Sequence, residues 1–419
     1  MVESVGQVGQ VGQGAGEVIF ERLGSAAIIR LNRPKALNSL TLDMVRAIRP
    51  AMADYASDPS VTSVVITGEG ERGFCAGGDI RAIHDLGKRG EGEAAAQFWR
   101  EEFPLNYTIS HYPKPYVALM DGIVMGGGVG ISAHGRHRVV TERTRLAMPE
   151  TGIGYVPDVG VTWLLGRAPG ETGTWMALTG LELDAADAIH AGFADHCVPC
   201  GRLADLVAAL ADLPVGLAGD EAHAAVEGAI SRFSVSAGDS RLAGERDLID
   251  RVFAGNGGGW QARTRHVGAG VGGAGHVENG PGANGNGANG NIGAGDVGAG
   301  DGSDTVEHIL FMLDGEAGEF AKMTRETIRR RSPTSLKLAL KMVRMARVSS
   351  GLVECLEREF TVGRHILRHG DFYEGVRAAI VDKDRNPKWS PPTLADIRDA
   401  DLDRYFAGGH EVLFPDHRL

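Results

Sequence analysis

Cysteine is scarce in this chain, and its scarcity excludes a disulfide-stapled fold. Only four cysteines occur in 419 residues, at Cys75, Cys197, Cys200 and Cys355. That number is too small to cross-link a chain of this length into a disulfide framework. Cys197 and Cys200 have the C-x-x-C spacing of a redox or zinc site, but no second cysteine pair and no His-x-x-x-His lies nearby. Chance spacing is therefore the favoured interpretation, and no metal site is expected.

Long apolar runs and an excess of positive charge are also lacking. No stretch approaches the about 20 apolar residues that a bilayer-spanning helix needs. The formal net charge of −11 argues against nucleic acid and anionic membrane surfaces as partners. The start, "MVESVGQVGQVGQGAGEVIF", has neither a basic segment before an apolar core nor the arginines of a transit peptide. The sequence thus predicts a cytoplasmic protein with no nucleic-acid and no membrane partner.

Glycine, by contrast, is concentrated in one segment. Residues 255–303 hold 19 of the 61 glycines and have few apolar side chains. Such a tract loses much conformational entropy on ordering and buries little in return. We expect a disordered glycine-rich insert at 255–303, and a flexible tail at 1–16, where "VGQ" repeats.

The remaining chain alternates between strand-like and helix-like patterns, which predicts an α/β layered fold. "EVIFERL" and "AAIIRLNRP" predict a hairpin, and "SVVITG" (63–68) is typical of a buried parallel strand. "YVALMDGIVMGG" and "RHRVVTERTRLAMPE" predict further strands.

From about residue 160 the pattern becomes mostly helical. "SPTSLKLALKMVRMAR" predicts a helix with Ser332 as N-cap and Pro333 at its first position. We therefore divide the ordered chain into a core with the active site (17–200), a helical region (201–254) and a helical C-terminal region (304–419).

Two glycine-rich turns stand out between strands and helices. In "GFCAGGDIRAIHDL" (73–86), the N–H groups of Ala76, Gly77 and Gly78 are expected to point out of a helix N-terminus, and Asp79 lies near the helix start. "MGGGVGISAHG" (125–135) has the same order of elements. Two such turns on neighbouring strands could aim two N–H groups at one oxygen, which is an oxyanion hole.

A nucleotide-binding loop is the alternative for the second turn. A dinucleotide loop is usually found in the first strand–helix–strand unit, whereas this glycine cluster follows at least two such units. The P-loop pattern GxxxxGK[ST] is absent as well. Both observations disfavour phosphate binding.

Two carboxylates follow in "MPETGIGYVPDVGVTWLL". Glu150 and Asp158 lie eight residues apart and could divide the work of base or nucleophile and proton donor. The alternative is structural: Glu150 at a helix start and Asp158 in a turn. Cys75 has no histidine partner in its motif, so we interpret it as a buried packing residue.

Several long motifs together resemble the crotonase superfamily, most closely its 3-hydroxyisobutyryl-CoA hydrolase branch. They are "NRPKALNSL" (32–40), "FCAGGDI" (74–80), "GGGVG" (126–130), "FWREEFPLN" (98–106), "MPETGIGYVPDVG" (148–160), "SPTSLKLAL", "REFTVGRHIL" and "EGVRAAIVDKDRNPKW". The resemblance covers residues 17 to about 395 except the insert. It implies repeated ββα units that form a spiral core, followed by a helical C-terminal region.

The resemblance also implies an acyl-CoA thioester substrate, most closely 3-hydroxyisobutyryl-CoA in valine catabolism. By position, the backbone N–H groups of Gly78 and Gly127 would form the oxyanion hole. Glu150 matches the glutamate of the next loop, and Asp158 matches the hydrolase branch's additional acid. These two would be the catalytic carboxylates.

Further roles are implied around the substrate. Glu102 matches a pocket glutamate that meets the substrate's hydroxyl end, and the turns at Ala36 and Ala76 match backbone that holds the CoA moiety. No metal or redox cofactor is required, because CoA is part of the substrate. Relatives of this kind are often trimers or hexamers, so a homo-oligomer is compatible with the resemblance.

Two positions depart from family patterns. The hydratase subfamily has a second catalytic glutamate three residues after the donor glycine, where this chain has Gly130. This favours thioester hydrolysis over an enoyl-CoA hydratase or isomerase. The branch usually shows a glycine pair after Pro-Asp, but Val161 follows Gly160 here. A non-catalytic acyl-CoA-binding or interaction protein is the third interpretation, disfavoured because both Glu150 and Asp158 are retained.

Overall fold

A computed structural model describes residues 16–255, 304–408 and 411–414. The predicted tail at 1–16 and the predicted insert at 255–303 lie outside these ranges except for Gly16 and Gly255. Within the described residues, no helix is both long and apolar enough to cross a membrane.

The strands are β1 (Val18–Leu23), β2 (Ala26–Leu31), β3 (Ser63–Gly68), β4 (Gly73–Cys75), β5 (Tyr116–Met120), β6 (Ile123–Met125), β7 (His137–Val140), β8 (Arg145–Ala147) and β9 (His196–Cys197). The helices of the first half are α1 (Leu42–Ser57), α2 (Ile80–Lys88), α3 (Gly92–Ser110), α4 (Gly127–Gly130), α5 (Val161–Leu165), α6 (Thr172–Thr179) and α7 (Ala185–His190).

The later helices are α8 (Leu203–Ala211), α9 (Gly219–Ser231), α10 (Arg241–Gly244), α11 (Arg246–Phe253), α12 (Val306–Gly315), α13 (Glu319–Arg330), α14 (Pro333–Val348), α15 (Leu352–Ile366), α16 (Gly370–Val376) and α17 (Asp399–Phe406). Short 3-10 helices span Pro34–Ala36, Glu150–Ile153, Cys200–Arg202 and Leu394–Asp396, and a π-helical turn spans Arg377–Val381.

Among the described residues, the strands form two separate sheets. One has the order β1-β2-β3-β5-β7-β9, and the other has the order β4-β6-β8. The predicted hairpin is confirmed, because β1 pairs antiparallel with β2, and the remaining ladders are parallel. Each repeat sends its first strand to the larger sheet and its second to the smaller sheet: β3 then β4, β5 then β6, and β7 then β8. This is the predicted repeated ββα core.

Local sequence explains where several elements begin. The predicted strand at 63–68 is buried over its first four residues, as parallel strands covered on both faces are. The hydroxyls of Thr41 and Ser332 and the carboxylate of Asp79 accept hydrogen bonds from first-turn N–H groups of α1, α14 and α2. Pro333 is the first residue of α14, as predicted.

The helices after β9 pack in two places. Apolar residues of α8 and α9 cover one face of the larger sheet, with Leu206, Leu210 and Val226 against Val65 and Val117. The helices of the C-terminal region join the main core instead. Within it, α16 contacts the 3-10 turn at 150–153, and α15 contacts α3 and α5. The C-terminal region therefore lies directly against the two loops that carry Glu150 and Asp158.

Candidate active site

The candidate site is built where the three parallel strands of the smaller sheet end. Gly77 and Gly78 follow β4, Gly126 and Gly127 follow β6, and Glu150 follows β8. Because these strands are parallel neighbours, their carboxyl ends deliver the three loops to one edge of the sheet. The topology thus gathers segments that are far apart along the chain.

The two glycine turns pack against each other. A β-carbon placed on Gly127 would lie 3.2 Å from the Gly78 nitrogen, and one placed on Gly77 would lie 3.7 Å from the Gly127 nitrogen. Gly127 is the first residue of α4, so its N–H has no acceptor within that helix. Among the described residues, the Gly78 N–H also donates to no backbone carbonyl. This is the juxtaposition of two donors that the glycine turns predict.

The expectation that the Ala76 N–H points out of a helix N-terminus is wrong. Its N–H donates to the Leu37 carbonyl at 3.0 Å, because residues 76–79 run alongside residues 37–40 and bridge to them at Leu40 and Gly78. Helix α2 begins only at Ile80, so Ala76 is not in its first turn.

Helix α3 covers both glycine turns with side chains one turn apart. A β-carbon on Gly78 would lie 2.9 Å from Phe98 Cε1, and one on Gly127 would lie 2.5 Å from Glu102 Oε1. Glu102 is 1% exposed, and its Oε1 has no hydrogen-bond partner among the described residues. Burial raises the pKa of Glu102 to about 8, so this carboxyl is mostly protonated at neutral pH.

Glu150 lies against the second of these glycine turns. A β-carbon on Gly126 would lie 3.1 Å from Glu150 Oε1. Burial raises the pKa of Glu150 to about 8, while the positive charge of Arg331 acts in the opposite direction. Arg331 precedes α14, and its Nε donates to the Thr179 carbonyl at 2.9 Å. The C-terminal region therefore supplies a cation that favours the ionised form of Glu150.

Asp158 experiences the opposite electrostatic environment. Its pKa is raised well above its usual value, first by burial and then by the negative charges of Glu150, Glu102 and Glu359. Carboxyls this close and this buried do not all ionise together. Because Arg331 acts on Glu150, the proton is retained preferentially on Asp158.

The peptide after Asp158 is strained and held from two sides. Val159 has φ = 56°, a left-handed conformation that β-branched residues rarely adopt. On one side, Nε2 of the half-buried His134 lies 2.8 Å from the Val159 carbonyl oxygen. On the other, Glu359 of α15 accepts hydrogen bonds from the N–H groups of Gly160 (2.6 Å) and Thr162 (3.1 Å) and from the Thr162 hydroxyl (2.5 Å). We call this pair of contacts the Val159 clamp.

Sequence reasoning missed both residues of the Val159 clamp. Glu359 lies in the motif "REFTVGRHIL", yet the motif alone gives it no role. Its position could have indicated a role, because Glu359 shares the buried face of α15 with Leu352, Leu356 and Ile366. A buried glutamate without a partner would destabilise the fold, so a hydrogen-bonding partner is expected. His134 carries no comparable signal.

Gly130 is closed to a side chain. A β-carbon there would lie 2.7 Å from Val159 Cβ and 2.9 Å from Asn106 Nδ2. The space next to Gly130 is therefore occupied by these two residues. Val161 is the first residue of α5 and is fully buried, so the chain enters this helix directly after Gly160, which has φ = 77°, without a second glycine.

The two predicted CoA-binding turns lie on either side of Leu37. The Ala36 N–H donates to the Arg33 carbonyl at 2.9 Å, and the Ala36 carbonyl accepts from the Ser39 N–H at 3.1 Å. Within the chain as described, both alanine N–H groups are thus engaged. Whether these turns contact CoA stays a prediction.

Among the described residues, the site has neither an exposed thiol nor a cluster of metal-ligating side chains. Cys75 is fully buried, and burial raises its pKa to about 12, as expected for a packing residue rather than a nucleophile. All four cysteines are free. Over the described ranges, no group of three or more His, Cys, Asp or Glu side chains could hold a metal ion.

Comparisons with known proteins agree on one family. The family model for enoyl-CoA hydratase/isomerase matches residues 26–264 and 299–406. A zebrafish (Danio rerio) protein named 3-hydroxyisobutyryl-CoA hydrolase, mitochondrial, is 38% identical over 93% of this chain and 89% of its own length. The human protein of the same name is 36% identical over 94% of this chain and 89% of its own length.

Two solved structures share both sequence and fold with the chain. A carnitinyl-CoA dehydratase from Mycobacterium thermoresistibile superposes with a TM-score of 0.79 at 38% identity, over 96% of this chain and 100% of that one. An enoyl-CoA hydratase from Rhodobacter sphaeroides 2.4.1 superposes with a TM-score of 0.75 at 35% identity, over 93% and 97% of the two chains.

The expected cytoplasmic location is wrong in the light of these relatives. The similar hydrolases from zebrafish and human are both named as mitochondrial. The expectation rests on the composition of the first twenty residues alone, which is weaker evidence than the relatives' names.

Proposed function

The chain belongs to the enoyl-CoA hydratase/isomerase family, and from this premise we propose that it is a CoA thioester hydrolase that converts 3-hydroxyisobutyryl-CoA to 3-hydroxyisobutyrate and CoA. The relatives that are 36–38% identical over nearly the whole chain carry that activity in their names. The geometry around Glu150, Asp158 and the two glycine turns supplies a mechanism.

The thioester carbonyl is activated by backbone donors. Its oxygen accepts hydrogen bonds from the N–H groups of Gly78 and Gly127, which lie side by side and lack acceptors of their own in the described structure. As the carbonyl carbon is attacked, negative charge develops on this oxygen, and each such donor is typically worth about 3 kcal/mol to the transition state.

Glu150 and Asp158 divide the remaining chemistry. In its ionised form, which the charge of Arg331 favours and which grows as pH approaches the raised pKa of about 8, Glu150 either attacks the carbonyl carbon to form a mixed anhydride or removes a proton from the attacking water. In both routes the carbon–sulfur bond breaks, and the proton held by Asp158 accompanies the departing CoA thiolate. In the anhydride route, a water then adds its oxygen to the acyl carbon and returns one proton to Asp158, which releases the acid and restores the Glu150 carboxylate. In the base route, the attacking water has already supplied that oxygen, and the proton taken up by Glu150 passes to Asp158.

The observation that carries hydrolysis over hydration is the crowding at Gly130. Hydration of an alkene needs a water held between two carboxylates, the second of which would project from this position. Val159 and Asn106 fill that space, at 2.7 and 2.9 Å from the required β-carbon. Thioester hydrolysis needs no side chain there, so the crowding does not impede it.

This assignment implies a place in valine catabolism, with the acyl-CoA as the small-molecule partner. We further propose that no metal or redox cofactor takes part, because backbone donors and carboxyls provide every proton and charge that the reaction requires. A homo-oligomer remains compatible with the family, and the absence of nucleic-acid and membrane partners remains a prediction from charge and composition.

The test is CoA release from 3-hydroxyisobutyryl-CoA, followed with a thiol reagent. The wild-type protein should release CoA at a rate that Glu150→Gln lowers by at least about 10³-fold. Binding of the acyl-CoA, measured by calorimetry, should change little, because the substitution preserves shape. Near-wild-type turnover in Glu150→Gln would refute the role of this residue, and no release by the wild type would refute the function.

A further inference from the structure

Helix α3 carries a buried amide that the catalytic scheme does not use. Asn106 is fully buried, and neither its Oδ1 nor its Nδ2 has a hydrogen-bond partner among the described residues. A buried polar atom without a partner is destabilising, because it has lost its hydrogen bonds to water and gained none in return. Two such atoms on one side chain therefore indicate that a bound ligand supplies a hydrogen-bonding group at this place.

Asn106 stands one helical turn after Glu102, whose Oε1 is likewise buried and unpartnered within the described ranges. Residues four apart lie on the same face of a helix, so the two side chains emerge next to each other. Asn106 Nδ2 would lie 2.9 Å from a β-carbon on Gly130, and Glu102 Oε1 2.5 Å from one on Gly127. Both therefore face the 126–130 turn, where the acyl group follows the thioester carbonyl.

The two groups are chemically matched to an aliphatic hydroxyl. A hydroxyl offers one donor and accepts through its oxygen, while an amide provides NH₂ donors and a carbonyl acceptor. A protonated carboxyl adds one donor and one acceptor. A hydroxyl placed between them can accept from Asn106 Nδ2 and donate to Glu102 Oε1, which gives partners to two of the three orphaned atoms. A hydrocarbon acyl group of the same shape would leave them unpaired.

We propose that Asn106, together with Glu102, forms the subsite for the 3-hydroxyl group of the acyl chain and that Asn106 is thereby a specificity-determining residue. This inference rests on the proposed hydrolase function and deepens it. Sites built to hydrogen-bond a substrate hydroxyl reject analogues that lack it by up to about 10⁴-fold, whereas a purely apolar pocket discriminates far less.

The test compares two thioesters that differ only in that hydroxyl: 3-hydroxyisobutyryl-CoA and isobutyryl-CoA. The wild type should prefer the hydroxylated substrate by at least about 10²-fold in kcat/KM. Asn106→Leu, which keeps the approximate volume, should lower kcat/KM for 3-hydroxyisobutyryl-CoA by about 10²-fold and leave isobutyryl-CoA within about threefold. The preference for the hydroxyl should therefore nearly disappear.

Ser63→Ala is the matched control, because it removes a different buried polar group that has no partner among the described residues. Ser63 lies at the start of β3, whereas the site lies beyond the ends of β4, β6 and β8. The preference of Ser63→Ala between the two thioesters should equal that of the wild type. Thermal melts of all three proteins show whether each variant is folded. If Asn106→Leu is not folded, the preference of the wild type for the hydroxylated thioester still tests whether a hydroxyl subsite exists.

Four outcomes would count against these assignments. A wild-type preference below about tenfold would show that no hydroxyl subsite exists. Equal losses on both thioesters in Asn106→Leu would mean that Asn106 is structural or holds a buried water. A preference that survives in the variant would assign the hydroxyl to other groups. No CoA release from either thioester by the wild type would instead refute the proposed function itself.

Discussion

Replacing Glu150 by glutamine should stabilise the protein while it abolishes turnover, and the gain should grow with pH. Glu150 is 6% exposed, and its Oε2 has no hydrogen-bond partner among the described residues. Burial raises its pKa from 4.5 to about 8. The folded protein therefore prefers the protonated carboxyl, and the neutral amide of glutamine imitates that form without titrating.

The sign and size of the expected stability change follow from this pKa shift. Because the pKa is higher in the folded than in the unfolded protein, folding binds protons between pH 4.5 and about 8, and stability falls as pH rises through that window. A shift from 4.5 to about 8 corresponds to about 5 kcal/mol at 1.36 kcal/mol per unit. The unpaired NH₂ of glutamine costs about 1–3 kcal/mol. Because that amide cost is the same at every pH, we expect Glu150→Gln to exceed the wild type in unfolding free energy by about 2–4 kcal/mol at pH 8.5 and to show no such gain at pH 5.

Urea unfolding at pH 5, 7 and 8.5 measures this difference directly. Glu91→Gln is the control, since Glu91 is exposed and hydrogen bonding to Arg89 lowers its pKa. That variant should show no gain that grows with pH. If the stability difference between wild type and Glu150→Gln is the same at all three pH values, Glu150 does not have a raised pKa in the folded protein, and the electrostatic account of the site is wrong.

Three further predictions concern the groups around Glu150. Glu359→Gln places an NH₂ group against the donors of the Val159 clamp. Steady-state kinetics should therefore show kcat reduced by about 10²-fold with KM nearly unchanged. An unaltered kcat would show that the Val159 clamp does not contribute to catalysis. Wild-type kcat/KM should rise with pH toward about 8 as Glu150 ionises. Arg331→Met should move this rise to higher pH, whereas Arg331→Lys should not. Identical pH profiles in the wild type and Arg331→Met would show that Arg331 does not affect the ionisation of Glu150. Gly130→Glu should collide with Val159 and lose CoA release without gaining crotonyl-CoA hydration, so hydration by this variant would contradict the steric argument.

The sequence predicted those parts of the site that are local. The glycine turns at 76–78 and 126–130 follow apolar strands, and β4 and β6 do lie next to each other. Glu150 and Asp158 lie in one short motif; its spacing left a structural role open, and its resemblance to the family implied that the two carboxylates act as a pair. In each case a few adjacent residues define the feature.

The parts that were missed depend on contacts between distant segments. Glu359 lies 199 residues from Gly160, whose N–H donates to it. Arg331 reaches the Glu150 loop only because the C-terminal helices pack on it. Periodicity shows that a residue is buried but not what it meets. Asn106 was recoverable in principle from its i, i+4 spacing to Glu102.

The error at Ala76 has a similar origin. Its glycine-flanked position before a helix suggested a free N–H, but the segment at 37–40 runs beside it and accepts that hydrogen bond. A pairing between two irregular segments leaves no signal in composition or periodicity. The neighbouring Gly78, by contrast, retains the free donor that the pattern predicted for both.

The central claim, hydrolysis rather than hydration at this site, is tested most directly by one paired measurement on the wild-type protein. The same sample is given 3-hydroxyisobutyryl-CoA and crotonyl-CoA, and free thiol and loss of the conjugated double bond are followed in both. We predict thiol release from the hydroxyacyl thioester and no hydration of crotonyl-CoA. Rapid hydration of crotonyl-CoA without thiol release from 3-hydroxyisobutyryl-CoA would contradict the account.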